Sequence, residues 1–168
     1  MSYRAVCFAI PGNPFGKQRP RAGRGGRVYT PKETARHENT IGCLALPHFP
    51  APIQGPVRLT VEAVFAVPPS WSKRKRAAML GQPHTSKPDA SNVAKAVEDG
   101  LNRIAYADDA QIAEAVTRKR WGETAETRVT VEALGDLAAP GEWPWHPPHS
   151  ESVSREEARA RVQEGPPL

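Results

Sequence analysis

Acidic side chains recur in residues 84–112, the segment of this sequence whose residue types are best suited to chemistry. Asp89 lies near its beginning, and Asp108 and Asp109 are adjacent near its end. Carboxylate oxygens suit a hard divalent cation, and Mg²⁺ often binds only a few carboxylates together with water and substrate phosphate. Such a cation can orient a water and neutralise the leaving oxygen of a phosphodiester. The segment therefore predicts a magnesium site that acts on a phosphate ester.

A helix, predicted from about residue 90 to residue 104, would position the polar side chains between these acids. At 100° per residue, one apolar stripe is formed by Val93, Val97, Leu101 and Ile104. The opposite, polar stripe contains Asn92, Lys95, Asp99 and Arg103. Asp89 precedes the first turn, at the positive end of the helix dipole. Lys95 is therefore placed to stabilise the extra negative charge of a phosphate transition state.

Each of these acids also has an ordinary structural interpretation. Asp89 is a good N-cap residue, and Asp99 can be a surface or ion-paired residue. The pair Asp108-Asp109 is typical of a turn. The metal site is favoured by their combination with a strongly basic region elsewhere in the chain.

The basic residues are concentrated in the first half of the sequence. Residues 1–90 carry 14 Lys/Arg and 4 Asp/Glu, whereas residues 91–168 carry 9 and 14. Residues 11–30 contain five glycines, three prolines and no acid, which predicts a loop without regular elements that can follow a phosphate backbone. Solvated surface charge is the alternative interpretation. The candidate DNA-binding residues are Lys17, Arg19, Arg21, Arg24, Arg27, Lys73, Arg74, Lys75, Arg76 and Lys87.

Hydrophobic periodicity predicts a single α+β domain over residues 1–135, with a mixed sheet of about four strands. Strands are expected at residues 3–10, 56–67, 111–120 and 126–134. Two main helices are expected at residues 31–46 and 90–104, and a short basic helix at residues 72–80. A capping box from Thr30 to Glu33 is expected to begin the first helix.

The remaining composition narrows the class of protein further. The chain has 168 residues, 39% of them hydrophobic, and no apolar run approaches the ~20 residues that cross a bilayer. Cys7 and Cys43 are far apart in the sequence, so we expect two reduced, buried thiols. These features predict a cytoplasmic protein without a membrane segment. Residues 136–168 are rich in Pro and Trp and then in charge, so we expect a mobile tail or an arm that docks on a protein partner.

Several spaced motifs resemble the RusA-type crossover-junction endodeoxyribonucleases, which are common in bacteria, phages and prophages. The family pattern is Lys-Pro-Asp-x-Asp-Asn, a Lys one helical turn later, and Asp-Asp followed by Gln. This chain has Lys87-Pro88-Asp89-Ala90-Ser91-Asn92, then Lys95, then Asp108-Asp109-Ala110-Gln111. The runs Gly16-Lys17-Gln18-Arg19-Pro20-Arg21, Thr30-Pro31 and Ser70-Trp71-Ser72-Lys73 also look like this family. The resemblance spans about residues 3–134.

The resemblance implies a homodimer that makes paired, magnesium-dependent nicks in four-way (Holliday) DNA junctions during recombination and repair, with Mn²⁺ able to replace Mg²⁺. A two-fold dimer can place one site on each of two strands of a junction. By resemblance, Asp89 and Asp109 are metal-binding catalytic carboxylates and Lys95 is the catalytic lysine. Asp108 would help to hold the metal, and Asn92 would support the site. The implied location is the cytoplasm of a bacterial or phage-infected cell.

Ser91 departs from the family pattern, which has a carboxylate at this position. A serine hydroxyl is a weaker magnesium ligand, so three explanations remain open. The site works with two carboxylates and water, or Asp108 or Asp99 supplies the missing charge, or the protein binds junctions but cleaves them poorly. The third explanation is the alternative function, a non-catalytic protein that binds branched DNA. An RNA-recognition type of domain is disfavoured, because aromatic residues make up only 7% of the chain.

Overall fold

A computed structural model describes residues 5–22 and 27–135 of the chain, apart from the side chains of residues 21 and 22. In this part the protein is α+β, with a mixed four-stranded sheet and three helices, which confirms the predicted fold class. The expected tail at residues 136–168 and the predicted DNA contact Arg24 lie outside the described residues. The domain boundary at residue 135 therefore stays a prediction. No helix among the described residues has the length and apolar character needed to span a membrane.

The regular elements follow the predicted order, with one addition. The strands are β1 (Ala5–Pro11), β2 (Arg21–Ala22), β3 (Val28–Tyr29), β4 (Val57–Ala66), β5 (Ile112–Gly122) and β6 (Glu126–Ala133). The helices are α1 (Lys32–Ala45), α2 (Lys73–Met79) and α3 (Ala90–Leu101), with short 3₁₀ turns at Leu46–His48 and Asp109–Gln111. The pairing of β2 with β3 shows that the expectation of no regular element in residues 11–30 was wrong. Only two cross-strand pairs are needed for it, so a composition rich in Gly and Pro excluded long elements but not this short one.

The four main strands lie in the order β1-β6-β4-β5. β6 pairs antiparallel with both β1 and β4, whereas β4 and β5 are parallel. A parallel pair needs a crossover connection, and the segment between β4 and β5 contains α2 and α3. The alternation in β4 is as predicted, and its inward residues Val57, Leu59, Val61, Ala63 and Phe65 belong to the buried core. One face of the sheet is thus covered by helices.

The apolar stripe of α3 is the main contribution of that helix to the core. Val93, Val97 and Leu101 are each 1% exposed or less. The helix ends at Leu101, three residues earlier than expected, and Arg103 takes a left-handed conformation with φ 66°. Ile104 therefore packs against the core from the turn after the helix rather than from its last turn.

The expected capping box at the start of α1 does not form. Pro31 is the N-cap, and no side chain caps the helix there. Glu33 instead accepts a hydrogen bond from the Gln18 side chain at 2.8 Å, and Thr34 Oγ1 accepts one from the Gln18 backbone N–H at 3.4 Å. Thus the first turn of α1 holds Gln18, a residue of the basic loop predicted over residues 11–30, against the domain.

Both cysteines are exposed, so the expectation of buried thiols was wrong. Cys7 lies on the edge strand β1, where its sulfur is 3.4 Å from Thr130 Oγ1 on β6. Cys43 lies on the outer side of α1. Sequence separation alone cannot tell an apolar face from an outer face at these positions.

An aromatic cluster closes the core beside α2. His84 stacks on Phe65 with ring centroids 3.7 Å apart and meets the Trp121 ring edge-on at 4.5 Å. Burial lowers the pKa of His84, with a further contribution from the charge of Lys119. Trp71 packs against Trp121 at 5.1 Å, and Lys75 Nζ lies 4.0 Å above the Trp71 ring. Trp71 thus anchors the basic helix to the domain.

Helices α1 and α3 approach each other at two glycines. A Cβ on Gly100 would lie 2.8 Å from Cβ of Ile41 and 3.1 Å from the carbonyl oxygen of Glu38. A Cβ on Gly42 would lie 3.0 Å from Cδ1 of Ile104. This close approach brings the polar stripe of α3 next to Glu38.

We expect Gly100→Ala to destabilise the protein, although Ala ordinarily stabilises a helix by about 1 kcal/mol relative to Gly. The added methyl group overlaps Ile41, and such overpacking costs about 1–3 kcal/mol, so after the helix gain the free energy of unfolding should fall by up to about 2 kcal/mol. Urea denaturation measures the change. Ser91→Ala, at an exposed position of the same helix, is the control and should stay within about 0.5 kcal/mol of the wild type. A more stable Gly100→Ala protein would show that the helices are not in close contact.

Candidate active site

The polar stripe of α3 and the acids that flank the helix form the candidate site. Asp89 is the N-cap residue of α3, but its side chain makes no capping hydrogen bond. The ordinary structural role considered for Asp89 is therefore not observed, and its exposed carboxylate is left available for a ligand. Ser91 and Asn92 are exposed on the first turn of the same helix.

Lys95 links the helix to the acids before β5. Its Nζ donates a hydrogen bond to Asp109 Oδ2 at 2.9 Å and lies 3.5 Å from Asp99 Oδ1 and 3.4 Å from Glu98 Oε2. The hydrogen bond to Asp109 is the largest influence on Lys95 and raises its pKa above the ordinary lysine range. The same bond lowers the pKa of Asp109. Both groups are therefore charged at neutral pH.

Asp108 has a different local role from Asp109. It is the N-cap of the Asp109–Gln111 turn, and its Oδ1 accepts a hydrogen bond from the Ala110 N–H at 2.9 Å. Gln111 Oε1 accepts one from the Asp108 N–H at 3.1 Å, and Gln111 Nε2 donates to the carbonyls of Ile53 and Gly55. The turn interpretation of this acidic pair thus holds for Asp108. The same turn directs the Asp109 side chain towards Lys95.

Lys17 was predicted to contact a DNA phosphate, and in the structure its side chain lies against the candidate site. Its Nζ hydrogen-bonds to Asp99 Oδ2 and lies 3.3 Å from Glu38 Oε1 on α1. Its backbone N–H donates to the Asn92 carbonyl at 2.9 Å. Gly16 fits against the start of α3, since a Cβ there would lie 2.6 Å from Cβ of Pro88. The basic loop is therefore docked on the helix that carries Lys95.

The sequence did not point to two acids of this cluster, Glu38 and Glu98. Glu38 lies on α1, far in sequence from residues 84–112, and nothing in its local sequence distinguishes it from other surface acids of a helix. The described structure brings together two lysines and four acids: Lys17, Lys95, Glu38, Glu98, Asp99 and Asp109. Among the described residues there is no group of three or more Asp, Glu, His or Cys side chains arranged to hold a metal ion. The metal-binding roles of Asp89, Asp108 and Asp109 therefore stay predictions.

The other predicted DNA contacts are exposed on separate elements. All four basic residues of α2 are exposed, and its N-terminus is capped by the Ser72 hydroxyl: they are Lys73, Arg74, Lys75 and Arg76. Arg19, Arg27 and Lys87 are also exposed. The side chain of Arg21 lies outside the described part. The exposed positions are free to meet a polyanion, but their geometry does not itself identify one.

Comparison with known proteins identifies the family to which these motifs belong. The sequence is 32% identical over 138 residues to the uncharacterized protein YqaN of Bacillus subtilis (strain 168), a match that covers 77% of this chain and 96% of that protein. Residues 11–132 match the family model for endodeoxyribonuclease RusA. The matched range contains the docked basic loop, α3 with Lys95, and the Asp108-Asp109 turn. This chain belongs to the RusA family of endodeoxyribonucleases.

Proposed function

We propose that this protein is a magnesium-dependent endonuclease that resolves four-way DNA junctions by paired phosphodiester hydrolysis. Membership of the family indicates an endonuclease, and the ion pair between Lys95 and Asp109 is the observation that carries the more specific proposal. It joins the polar stripe of α3, the helix that begins after Asp89, to the acids before β5. A lysine can stabilise the charge of a phosphate transition state, and carboxylates can hold a metal ion that assists phosphodiester hydrolysis.

The donor chemistry of the site fits Mg²⁺. Asp89 and Asp109 offer carboxylate oxygens, and the lowered pKa keeps Asp109 ionised. Mg²⁺ commonly takes one or two protein carboxylates and completes its shell with water and substrate phosphate. We assign Asp89 and Asp109 as the residues that would hold the ion. When bound, it would supply Lewis-acid activation of a water and neutralisation of the leaving oxygen.

Lys95 acts in this proposal as a fixed positive charge. Its raised pKa keeps the ammonium protonated, so it cannot serve as a general base at neutral pH. It is 47% exposed, which leaves room for a phosphate oxygen to approach from outside. There the ammonium would offset the negative charge that develops on the phosphate in the transition state.

The contacts of Asp99 and Asp108 support a site in which Ser91 is not replaced by a third carboxylate. Asp99, one proposed substitute for the missing acid, has one oxygen in contact with Lys95 and the other bound by Lys17. Asp108, the other proposed substitute, uses Oδ1 to cap a turn. Neither acid is as unengaged as Asp89. We therefore favour the explanation in which Asp89 and Asp109 work together with water.

The homodimer is the second part of the proposal, and the open face of the sheet supports it. Among the described residues the helices cover one face only, and the other face carries two ion-pair clusters. The acidic end contains Arg58, Glu114 and Glu132, in which Arg58 bonds Glu114 at 2.5 Å. The basic end contains Glu62, Arg118, Arg120, Glu126 and Arg128, in which Arg120 bonds Glu62 at 2.7 Å.

These two ends suit a two-fold interface between copies of the chain. Thr60, paired with Thr130 and Val116 in the register, lies between them at the centre of the open face. A two-fold axis that crosses the strands near Thr60 would place the acidic end of each copy over the basic end of the other. A symmetric dimer of this kind would offer one active site to each of two junction strands.

The central experiment is a cleavage assay on a synthetic mobile four-way junction with Mg²⁺. The wild-type protein should make paired symmetric nicks that a ligase can seal, and Asp109→Asn should abolish them because it removes a proposed metal ligand. A chelator should stop cleavage but leave much of the junction binding intact. A junction that is shifted but uncut by the wild-type protein would overturn the proposal in favour of the non-catalytic binding function.

Lys95→Met should raise the affinity for Mg²⁺ while it removes cleavage, because a positive charge next to Asp109 opposes binding of a cation. Calorimetric titration of the protein with MgCl₂, without DNA, measures the dissociation constant. Ser91→Asp provides a second variant, since an added carboxylate beside Asp89 should also tighten binding. Unchanged Mg²⁺ affinity in both variants would place the metal elsewhere.

Thr60→Arg should convert the dimer to a monomer, because it places two like charges against each other at the proposed two-fold axis. Sedimentation at micromolar concentration should show twice the 18.3 kDa chain mass for the wild type and a single chain mass for the variant. Thr40→Arg, on the exposed surface of α1, is the matched control and should stay dimeric. A wild-type protein that sediments as one chain, with and without junction DNA, would rule out the dimer.

A further inference from the structure

The Asp99 carboxylate is shared between two lysines, one on each oxygen. Lys95 approaches Oδ1 at 3.5 Å, and Lys17 hydrogen-bonds to Oδ2. Lys95 also lies 3.4 Å from Glu98 Oε2 and is closest to Asp109, at 2.9 Å. The position of Lys95 is thus set by how strongly Glu98, Asp99 and Asp109 each attract it. Any group that neutralises Asp99 shifts that balance towards Asp109.

Lys17 is such a group, and it is poorly placed to bind DNA. Its side chain is 27% exposed, and its Asp99 and Glu38 partners are 20% and 23% exposed. Glu38 Oε1 is buried and receives no hydrogen bond within the described residues, so Lys17, 3.3 Å away, is its nearest charge partner there. Turning Lys17 outward to a phosphate would take its charge away from the partly buried Glu38 carboxylate and leave Asp99 with Lys95 alone, which is costly.

The pKa of Lys17 reflects both its partial burial and its two acidic partners. Partial burial acts to lower it, but the hydrogen bond and charge of Asp99, together with Glu38, raise it above the ordinary value. The backbone at this position is also fixed, since the Lys17 N–H donates to Asn92 and Gly16 packs on Pro88. Lys17 is therefore held towards α3 by both its side chain and its main chain.

We propose that Lys17 is a positioning residue for Lys95. By binding Asp99 Oδ2, Lys17 weakens the attraction between Asp99 and Lys95 and so keeps the Lys95 ammonium in contact with Asp109. This inference rests on the proposed function, in which Lys95 neutralises charge on the phosphate. It replaces the sequence-based assignment of Lys17 as a phosphate contact. Without Lys17, the four acids of the cluster keep only Lys95 as a counter-charge, and Lys95 is then drawn back towards Asp99.

The test separates DNA binding from catalysis at saturating protein. Lys17→Met should leave the junction dissociation constant within about twofold and the slope of log K against log [salt] unchanged, yet lower the single-turnover cleavage rate by about tenfold or more, as small misplacements do. A lysine that binds phosphate would instead reduce the salt slope by about 1 when removed. Arg19→Met, at an exposed position of the same loop, shows the size of that salt effect. Lys32→Met, on the exposed side of α1, should change neither quantity.

Three further variants test the route through Asp99. Lys17→Arg keeps the charge and should retain most of the cleavage rate. Asp99→Asn removes the pull on Lys95, so adding Lys17→Met to it should have little further effect, and the two substitutions should be clearly non-additive. Additive losses, or a lower salt slope in Lys17→Met, would overturn the proposal. If Lys17→Met fails to fold, as circular dichroism would show, the comparison of Asp99→Asn with Lys17→Arg still decides.

Crystal structures of the wild type and Lys17→Met give a readout that does not need cleavage. Lys95 Nζ should leave Asp109 and move towards Asp99 in the variant. An unchanged contact between Lys95 and Asp109 would overturn the positioning role. If the wild-type protein cuts no junction, the proposed function fails, but these structures still decide whether Lys17 positions Lys95.

Discussion

Burial of one stripe of α3 is the constraint on which the rest of the site depends. Val93, Val97 and Leu101 are almost completely excluded from solvent, and burial of each such side chain contributes roughly 1.5–3 kcal/mol. Rotating the helix by one residue would expose them. The core therefore fixes the direction of the opposite stripe, with Lys95 and Asp99, without any contribution from the polar residues themselves. The glycine contact with α1 then brings Glu38 within reach of the same surface.

The second constraint on the site is the net charge of the cluster of acids and lysines. Four acids, Glu38, Glu98, Asp99 and Asp109, surround two lysines, so the cluster keeps an excess of negative charge. That excess favours a cation and opposes a DNA backbone. The exposed basic side chains on α2 and in the loop supply a field of the opposite sign, and such a field raises the local concentration of a polyanion. In the proposed function, the uneven charge of the sequence corresponds to two tasks, holding a metal and holding phosphates.

Features with a local cause could be predicted from the sequence. Alternation gave the inward residues of β4, and helical spacing gave the apolar stripe of α3, because both depend on nearby positions only. The partner of Lys17 could not be predicted, since Asp99 is 82 residues away and the type and spacing of a lysine do not show what it will meet. The prediction of a capping box at Thr30 was wrong for a related reason, because the Glu33 side chain accepts a hydrogen bond from Gln18, a residue outside the local pattern. The early end of α3 has no sequence signal either, because Arg103 adopts the left-handed conformation where Gly or Asn would be typical.

The docking of the basic loop has a consequence for how substrate binding would act on the site. Gly16 and Lys17 contact α3, Gln18 bonds to α1, and Arg19 is exposed next to them. In the proposed function, a phosphate held by Arg19 is therefore connected through two residues of backbone to the lysine that sets the position of Lys95. Binding energy gained along the DNA backbone can then be used to hold the catalytic charge in place, which is more effective for rate than tighter binding alone. A loop that only collected phosphates would have no need to be fixed to the helix in this way.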